Sequence, residues 1–202
     1  MQTGDYEACT DEQLLVRYTQ GDLRAMAQLL ERYKRPIFTF VLRLSGDRSR
    51  AEDLLQEVFL RLVEHAHSYE GSARLKTWLY RIARNLCIDE MRRKKHRRHA
   101  SLDAQNHEDG STLHNRIADQ DLATDRRVAS GQLKGRISAA VTELPPDQKE
   151  VFLLRQVEQL SFKEIAQITA CSENTVKSRM RYALTRLQAA LAEYHDYAEE
   201  LR

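Results

Sequence analysis

Cysteine is scarce in this chain of 202 residues: Cys9, Cys87 and Cys171 are its three, widely spaced and in no paired pattern. Such usage argues against a disulfide framework and suits reduced thiols in a reducing compartment. A metal site built on Cys87, His96 and His99 is excluded by reach, because Cys87 and His96 on one straight helix stand about 13 Å apart at 1.5 Å per residue. A buried thiol and solvated histidines are the better reading. Long apolar runs are missing too. None approaches the ~18 residues of a membrane span, and the N-terminus lacks the basic and apolar regions of a signal peptide. The expectation is a cytoplasmic chain with no membrane insertion. Nor is there an internal repeat, a Gly-rich phosphate loop, a nucleophile elbow or a paired acid/base constellation. No catalytic residue, metal or cofactor is therefore expected, and the chain is not read as an enzyme.

What is present is charge, and it is segregated. Lys and Arg number 32 against 30 Asp and Glu, and the hydrophobic fraction of 42% is enough for one or two small folded domains. The formal charge of +2 hides a basic run at Arg92, Arg93, Lys94, Lys95, Arg97 and Arg98 and an acidic tail at Glu193, Asp196, Glu199 and Glu200. Local charge matters more here than the net value.

Helical periodicity runs through most of the chain. Thr10 and Gln13 form a capping box for a first helix, and Gly21-Asp22 starts a second that runs to about Leu44 and contains Pro36, which should kink it or remove a backbone bond. Ser49 and Glu52 are read as the cap of a third helix, with Ala51, Leu54, Leu55, Val58, Phe59 and Leu62 inward. Its opposite face carries Asp53, Glu57 and Glu64, with Gln56 at the edge and Leu60 among them. That stripe is either an interface or a solvated face. After a polar loop, Ser72 is read as the cap of a fourth helix from about Ala73 to Arg97, with Leu75, Trp78, Leu79, Ile82 and Leu86 buried. Its other side is expected to present Thr77, Tyr80, Arg81, Arg84, Arg92 and Lys95. Cations interleaved with an aromatic suit a groove for single-stranded nucleic acid, since phosphates supply charge and bases supply faces to stack on. A solvated helix end is the plainer alternative.

From Ser101 to about Arg127 the chain turns polar and acidic, with too little apolar content for a core, and reads as a tether. A helix around Leu133 to Glu143 should stop at Leu144-Pro145-Pro146. Asp147 is read as the cap of the next, Gln148 to Glu158. Two further helices meet at a tight corner between Leu160 and Leu191. Ser161 and Glu164 form a capping box for the first, the corner lies at Thr169 to Cys171, and Ser172 caps the second. In that last helix Val176, Met180, Ala183, Leu184, Leu187 and Leu191 share an inward face. Asn174, Ser178, Arg181 and Tyr182 point away, with Lys177 and Arg179 on the flanks. Such a helix can lie in the major groove of DNA, or simply be solvated.

The wording of these segments adds to their spacing. EIAQITACSENTVKSRMRYALTRL resembles the fourth conserved region of bacterial sigma factors, particularly the extracytoplasmic-function group, with Ala170 where that family usually has Gly. DRSRAEDLLQEVFLRL resembles the segment that grips the clamp helices of core RNA polymerase, which implies Asp53, Gln56 and Glu57, with Leu60 beside them, as polymerase contacts. LKTWLYRIARNLCIDEMRR resembles the segment that opens and holds the minus-ten promoter element. Trp78, Asn85, Asp89 and Arg92 stand where that pattern has them, and Leu75 where it commonly has Phe. The resemblance implies an all-α initiation factor of two small helical domains, a region 2 bundle over 1–100 and a region 4 helix-turn-helix domain over 131–202, joined by a flexible polar linker over 101–130. The minus-ten element falls to Tyr80, Arg81, Arg84, Asn85, Arg92 and Arg93. The minus-35 element falls to Asn174, Lys177, Ser178, Arg179, Arg181 and Tyr182. The implied partners are core RNA polymerase, promoter DNA and an anti-sigma factor. The competing reading is a helix-turn-helix regulator that binds an operator as a dimer without polymerase.

Overall fold

The computed structural model describes residues 6–69, 71, 73–102 and 135–192, and side chains within that set except those of 95–102. Ser72, the tether over 103–130 and the acidic residues beyond 192 lie outside the described residues. Among those described, the elements are all helical: α1 (Asp11–Thr19), α2 (Leu23–Ser45), α3 (Arg48–His65) with a 3-10 turn at Ala66–Ser68, α4 (Leu75–Leu102), α5 (135–142), α6 (Pro146–Phe152), α7 (Phe162–Thr169) and α8 (Glu173–Ala190).

Of the N-terminal helices, α1 and α2 start where the sequence expects, whereas α3 has a different cap and α4 begins at Leu75, two residues later than expected. Thr10 and Gln13 exchange the two hydrogen bonds of a capping box, and Asp22 caps α2 by accepting from the Arg24 N–H. Helix α2 runs unbroken past Pro36, which has no N–H to offer the carbonyl one turn back. It ends at Gly46, whose φ of 72° is costly for any residue with a Cβ. This left-handed turn delivers Asp47, which caps α3 by accepting from the Arg50 N–H. The Ser49–Glu52 pattern is therefore not the cap. Helix α4 receives a tertiary one: the Glu12 carboxylate of α1 accepts the Leu75 N–H at 3.1 Å.

Leu14, Leu29, Ile37, Phe40, Val58, Leu62, Leu75 and Leu79 bury the faces of α1 to α4 against one another. Arg32 ties the preceding segment down, donating to the Cys9, Tyr6 and Glu7 carbonyls and pairing with Asp11 at 2.9 Å. Trp78 is half-buried against Tyr69, with ring centroids 5.6 Å apart. Burial pushes the Cys87 thiol up to about 12, so it remains protonated at neutral pH.

In the C-terminal set, Pro146 is the first residue of α6, and no side chain caps the helix. Asp147 is therefore not a cap; it sits in the first turn and pairs with Arg179 of α8 at 3.2 Å. Helix α6 then widens into a π-helical segment, Leu153–Val157, closed by the Glu158 N–H on the Leu153 carbonyl. Gln159 follows at φ 57°. Ser161 and Glu164 form the expected capping box, α7 ends on Ala170, and Ser172 caps α8 by accepting from the Thr175 N–H.

Ala170 occupies the left-handed region at φ 53°. An L-residue there costs roughly 1–2 kcal/mol, partly offset because glycine would lose more freedom on folding. Ala170→Gly should thus stabilise the chain by about 0.5–1 kcal/mol, read as a higher urea midpoint at unchanged slope.

Candidate polymerase and nucleic-acid interfaces

Helix α3 carries the first candidate surface. Ala51, Val58 and Leu62 are buried, and Leu54, Leu55 and Phe59 are partly covered, which turns Asp53, Gln56 and Leu60 outward. Leu60 is 56% exposed and Val63 also reaches solvent. Asp53 pairs with Arg50 at 3.6 Å and Glu57 with Arg61 at 3.0 Å, both within the helix. Exposed pairs of this kind add little stability. The stripe is an acidic ridge with an apolar residue at its middle.

Helix α4 carries the second, and here the structure departs from the single buried face expected of it. Arg81, Asn85, Asp89, Arg92 and Arg93 are exposed, and Arg92 pairs with Asp89 at 3.8 Å. Thr77 and Tyr80, by contrast, are covered, Tyr80 completely. One side of α4 packs on α2 and α3 and the other on α7. Tyr80 meets the Phe40 ring edge-on at 5.3 Å and donates its hydroxyl to the Glu158 carboxylate, and its pKa is raised by burial and by that carboxylate. Arg84 is half-buried and forms two hydrogen bonds to Glu150, at 3.0 and 3.5 Å. The Lys95 side chain lies outside the description.

On α8, Val176, Met180, Ala183 and Leu187 are buried as the spacing predicts, whereas Leu184 is 40% exposed and so is not part of the inward face. Asn174, Lys177, Ser178, Arg181 and Tyr182 form the exposed side, with the Arg181 guanidinium 5.2 Å from the centre of the Tyr182 ring. Arg179 is not a free flanking cation. It lies between Asp147 at 3.2 Å and Glu150 at 3.6 Å, and donates to the Cys171 sulfur.

Sequence reasoning missed two residues that organise these surfaces, Glu150 and Glu158, both buried. Glu150 was detectable in part: it stands three and four residues before the buried Leu153 and Leu154 of the π-helical segment, and a carboxylate on such a face needs a cation. The Glu164 cap also reaches across, to Arg74 at 3.6 Å. Burial alone would push its carboxyl up, but Ser161 and Arg74 hold it below its ordinary value of 4.5. A depressed folded value gives stability that is present above pH 4.5 and lost as pH falls through the folded pKa. Glu164→Gln keeps the capping box and removes the titration. The variant's denaturation midpoint should fall less steeply than the parent's on acidification below that pH.

Two family profiles match the chain, Sigma-70 region 2 over residues 29–97 and Sigma-70, region 4 over residues 134–187. The chain is 32% identical over 161 residues to the ECF RNA polymerase sigma factor SigW of Bacillus subtilis, covering 80% of this chain and 86% of that one. The chain belongs to the sigma-70 family, in its extracytoplasmic-function (ECF) group. The ECF RNA polymerase sigma-E factor of Escherichia coli is 31% identical over 180 residues, covering 86% of this chain and 90% of its own. Among solved structures, the sigma factor RpoE of Bartonella quintana, in complex with the anti-sigma factor NepR, aligns with TM-score 0.62 at 28% identity, covering 82% of this sigma factor and 96% of that chain. Among the described residues of this sigma factor, no helix is long and apolar enough to cross a membrane, and no group of side chains is arranged to hold a metal ion.

Proposed function

We propose that this chain, a transcription initiation factor by family, binds core RNA polymerase through Asp53, Gln56, Glu57 and Leu60 of α3 and directs it to promoters whose two elements are met by α4 and α8. It works in the cytoplasm, carries out no chemistry of its own and is restrained by an anti-sigma factor. Residues 1–100 form the polymerase and minus-ten domain, 131–202 the minus-35 domain, and 101–130 the tether between them. On α4, Arg81, Asn85, Arg92 and Arg93 meet the minus-ten element, joined by Tyr80 and Arg84 once these are uncovered. On α8, Asn174, Ser178, Arg181 and Tyr182 meet the minus-35 element and Lys177 a phosphate. Arg179 positions α8 through Asp147 and Glu150.

The observation that carries this reading is the order of surfaces along one chain: an acidic, leucine-bearing ridge, then a basic helix, then an exposed helix-turn-helix. An operator-binding dimer has use for the last alone. The test is reconstitution. Purified chain should co-elute with core polymerase and make it transcribe from a promoter in the cognate genome. Binding to duplex DNA without polymerase, with core left inactive, would favour the regulator instead.

A further inference from the structure

A cleft of about 410 Å³ lies where the start of α4 meets α7, within the range of small-molecule sites, about 300–1,000 Å³. Arg74 and Thr77 line it on one side, and Ser161, Lys163, Glu164 and Gln167 on the other. None of these residues belongs to the surfaces proposed for polymerase or promoter. Its cations, Arg74 and Lys163, are exposed. Thr77 stands at the back, 2% exposed, and its buried hydroxyl has no hydrogen-bond partner among the described residues. A polar group so placed is costly until a partner reaches it. Glu164, by contrast, is engaged: it accepts from the Ser161 N–H at 2.8 Å and from its hydroxyl at 2.6 Å, and lies 3.6 Å from Arg74. The Arg74 side chain remains 81% exposed, and a guanidinium has five N–H donors to share.

We propose that this cleft is a binding site for a small phosphorylated polyol, a sugar phosphate in size and chemistry, with its phosphoryl group on Arg74 and Lys163 and its hydroxyls on Thr77, Gln167 and Glu164. Two cations suit a dianion, and the planar fork of arginine matches phosphate oxygens. The remaining groups suit hydroxyls: a threonine hydroxyl and a glutamine amide each donate and accept, and a carboxylate accepts. That carboxylate also tells against a second phosphoryl group, which it would repel. A nucleotide fits less well than a sugar phosphate. No aromatic ring lines the cleft among the described residues, so a base would find no face to stack on.

Calorimetric titration of the full chain tests the site, with ribose phosphate, ribose and inorganic phosphate as separate probes. Ribose phosphate should bind at least about tenfold more tightly than either of its parts, because both halves of the lining then contribute. Arg74→Ala and Lys163→Ala should each weaken that binding about tenfold. Thr77→Val removes the hydroxyl and keeps the shape of the side chain. It should raise the urea midpoint of the free chain, since a buried group without a partner is lost, and weaken ribose phosphate binding about tenfold. A lowered midpoint with unchanged binding would show that the hydroxyl is satisfied within the protein, and would overturn its role. Ribose phosphate bound no more tightly than inorganic phosphate, or bound equally by the parent, Arg74→Ala and Lys163→Ala, overturns the site. A short duplex of random sequence that displaces ribose phosphate, with Thr77→Val binding as the parent does, would make Arg74 and Lys163 contacts to a DNA backbone instead.

Discussion

Asp53→Lys/Glu57→Lys is expected to weaken binding to core RNA polymerase by at least about a hundredfold, since like charges set against each other across an interface cost several kcal/mol and each 1.4 kcal/mol is tenfold. The fold should survive. The side chain of Asp53 is 65% exposed and that of Glu57 44%, and the ion pairs they form are with Arg50 and Arg61 of their own helix. Replacing those pairs by like charges costs about 0.2–0.5 kcal/mol each, small against the burial of Ala51, Val58 and Leu62 that holds α3 in place. Leu60→Ala should act in the same direction with a smaller effect, through lost apolar contact rather than charge. Titration of labelled chain into core polymerase measures the affinity, with circular dichroism as the check on helicity. Undiminished affinity with normal helicity in the double variant would remove α3 from the interface.

The sequence is most legible where local chemistry decides the structure. Thr10–Gln13 and Ser161–Glu164 are capping boxes in which residues three apart satisfy each other's backbone N–H, so no distant element is needed to realise them. The corner after α7 follows for the same reason, even with Ala170 forced into a glycine's conformation. Where two local signals compete, spacing does not choose. Asp47 and Ser49 both suit the start of α3, and the left-handed turn at Gly46 decides for Asp47. At α6, proline in the first turn starts the helix without help and frees Asp147 to reach Arg179.

The larger gap concerns α4. Helical periodicity assigns one apolar stripe and treats the rest as solvated, but α4 is covered from two sides. Its second buried face uses Thr77, Tyr80 and the stem of Arg84, two of them polar or charged and the third an aromatic with a hydroxyl to satisfy. Such a face is stabilised by hydrogen bonds to carboxylates from residues 66 and 78 positions away in the chain. Pairings at that separation leave no periodic trace. A buried acid on α6 and the polar Thr77, Tyr80 and Arg84 at helical spacing on α4 are the weak signals of it.

Arg181→Ala should change which minus-35 sequences the holoenzyme prefers, whereas Lys177→Ala should reduce affinity for all of them alike. Val176, Met180, Ala183 and Leu187 fix the rotation of α8 by their burial, which leaves Arg181 and Ser178 on the opposite side and Lys177 beside them. The Arg181 guanidinium rests near the Tyr182 ring, and that contact limits its rotamers before DNA arrives. A guanidinium on a base edge discriminates by about 1–3 kcal/mol at one position. An ammonium on a phosphate contributes at every sequence, and its removal lowers the salt slope by about one unit. Arg179, already engaged by Asp147 and Glu150, should behave like neither, and Arg179→Ala should act mainly on stability. The measurement is a competition assay over all single-base variants of the upstream element at two salt concentrations, with reconstituted holoenzyme. An unchanged ranking in Arg181→Ala, with only the salt dependence shifted, would mean that α8 sits in the groove with a different edge toward the bases.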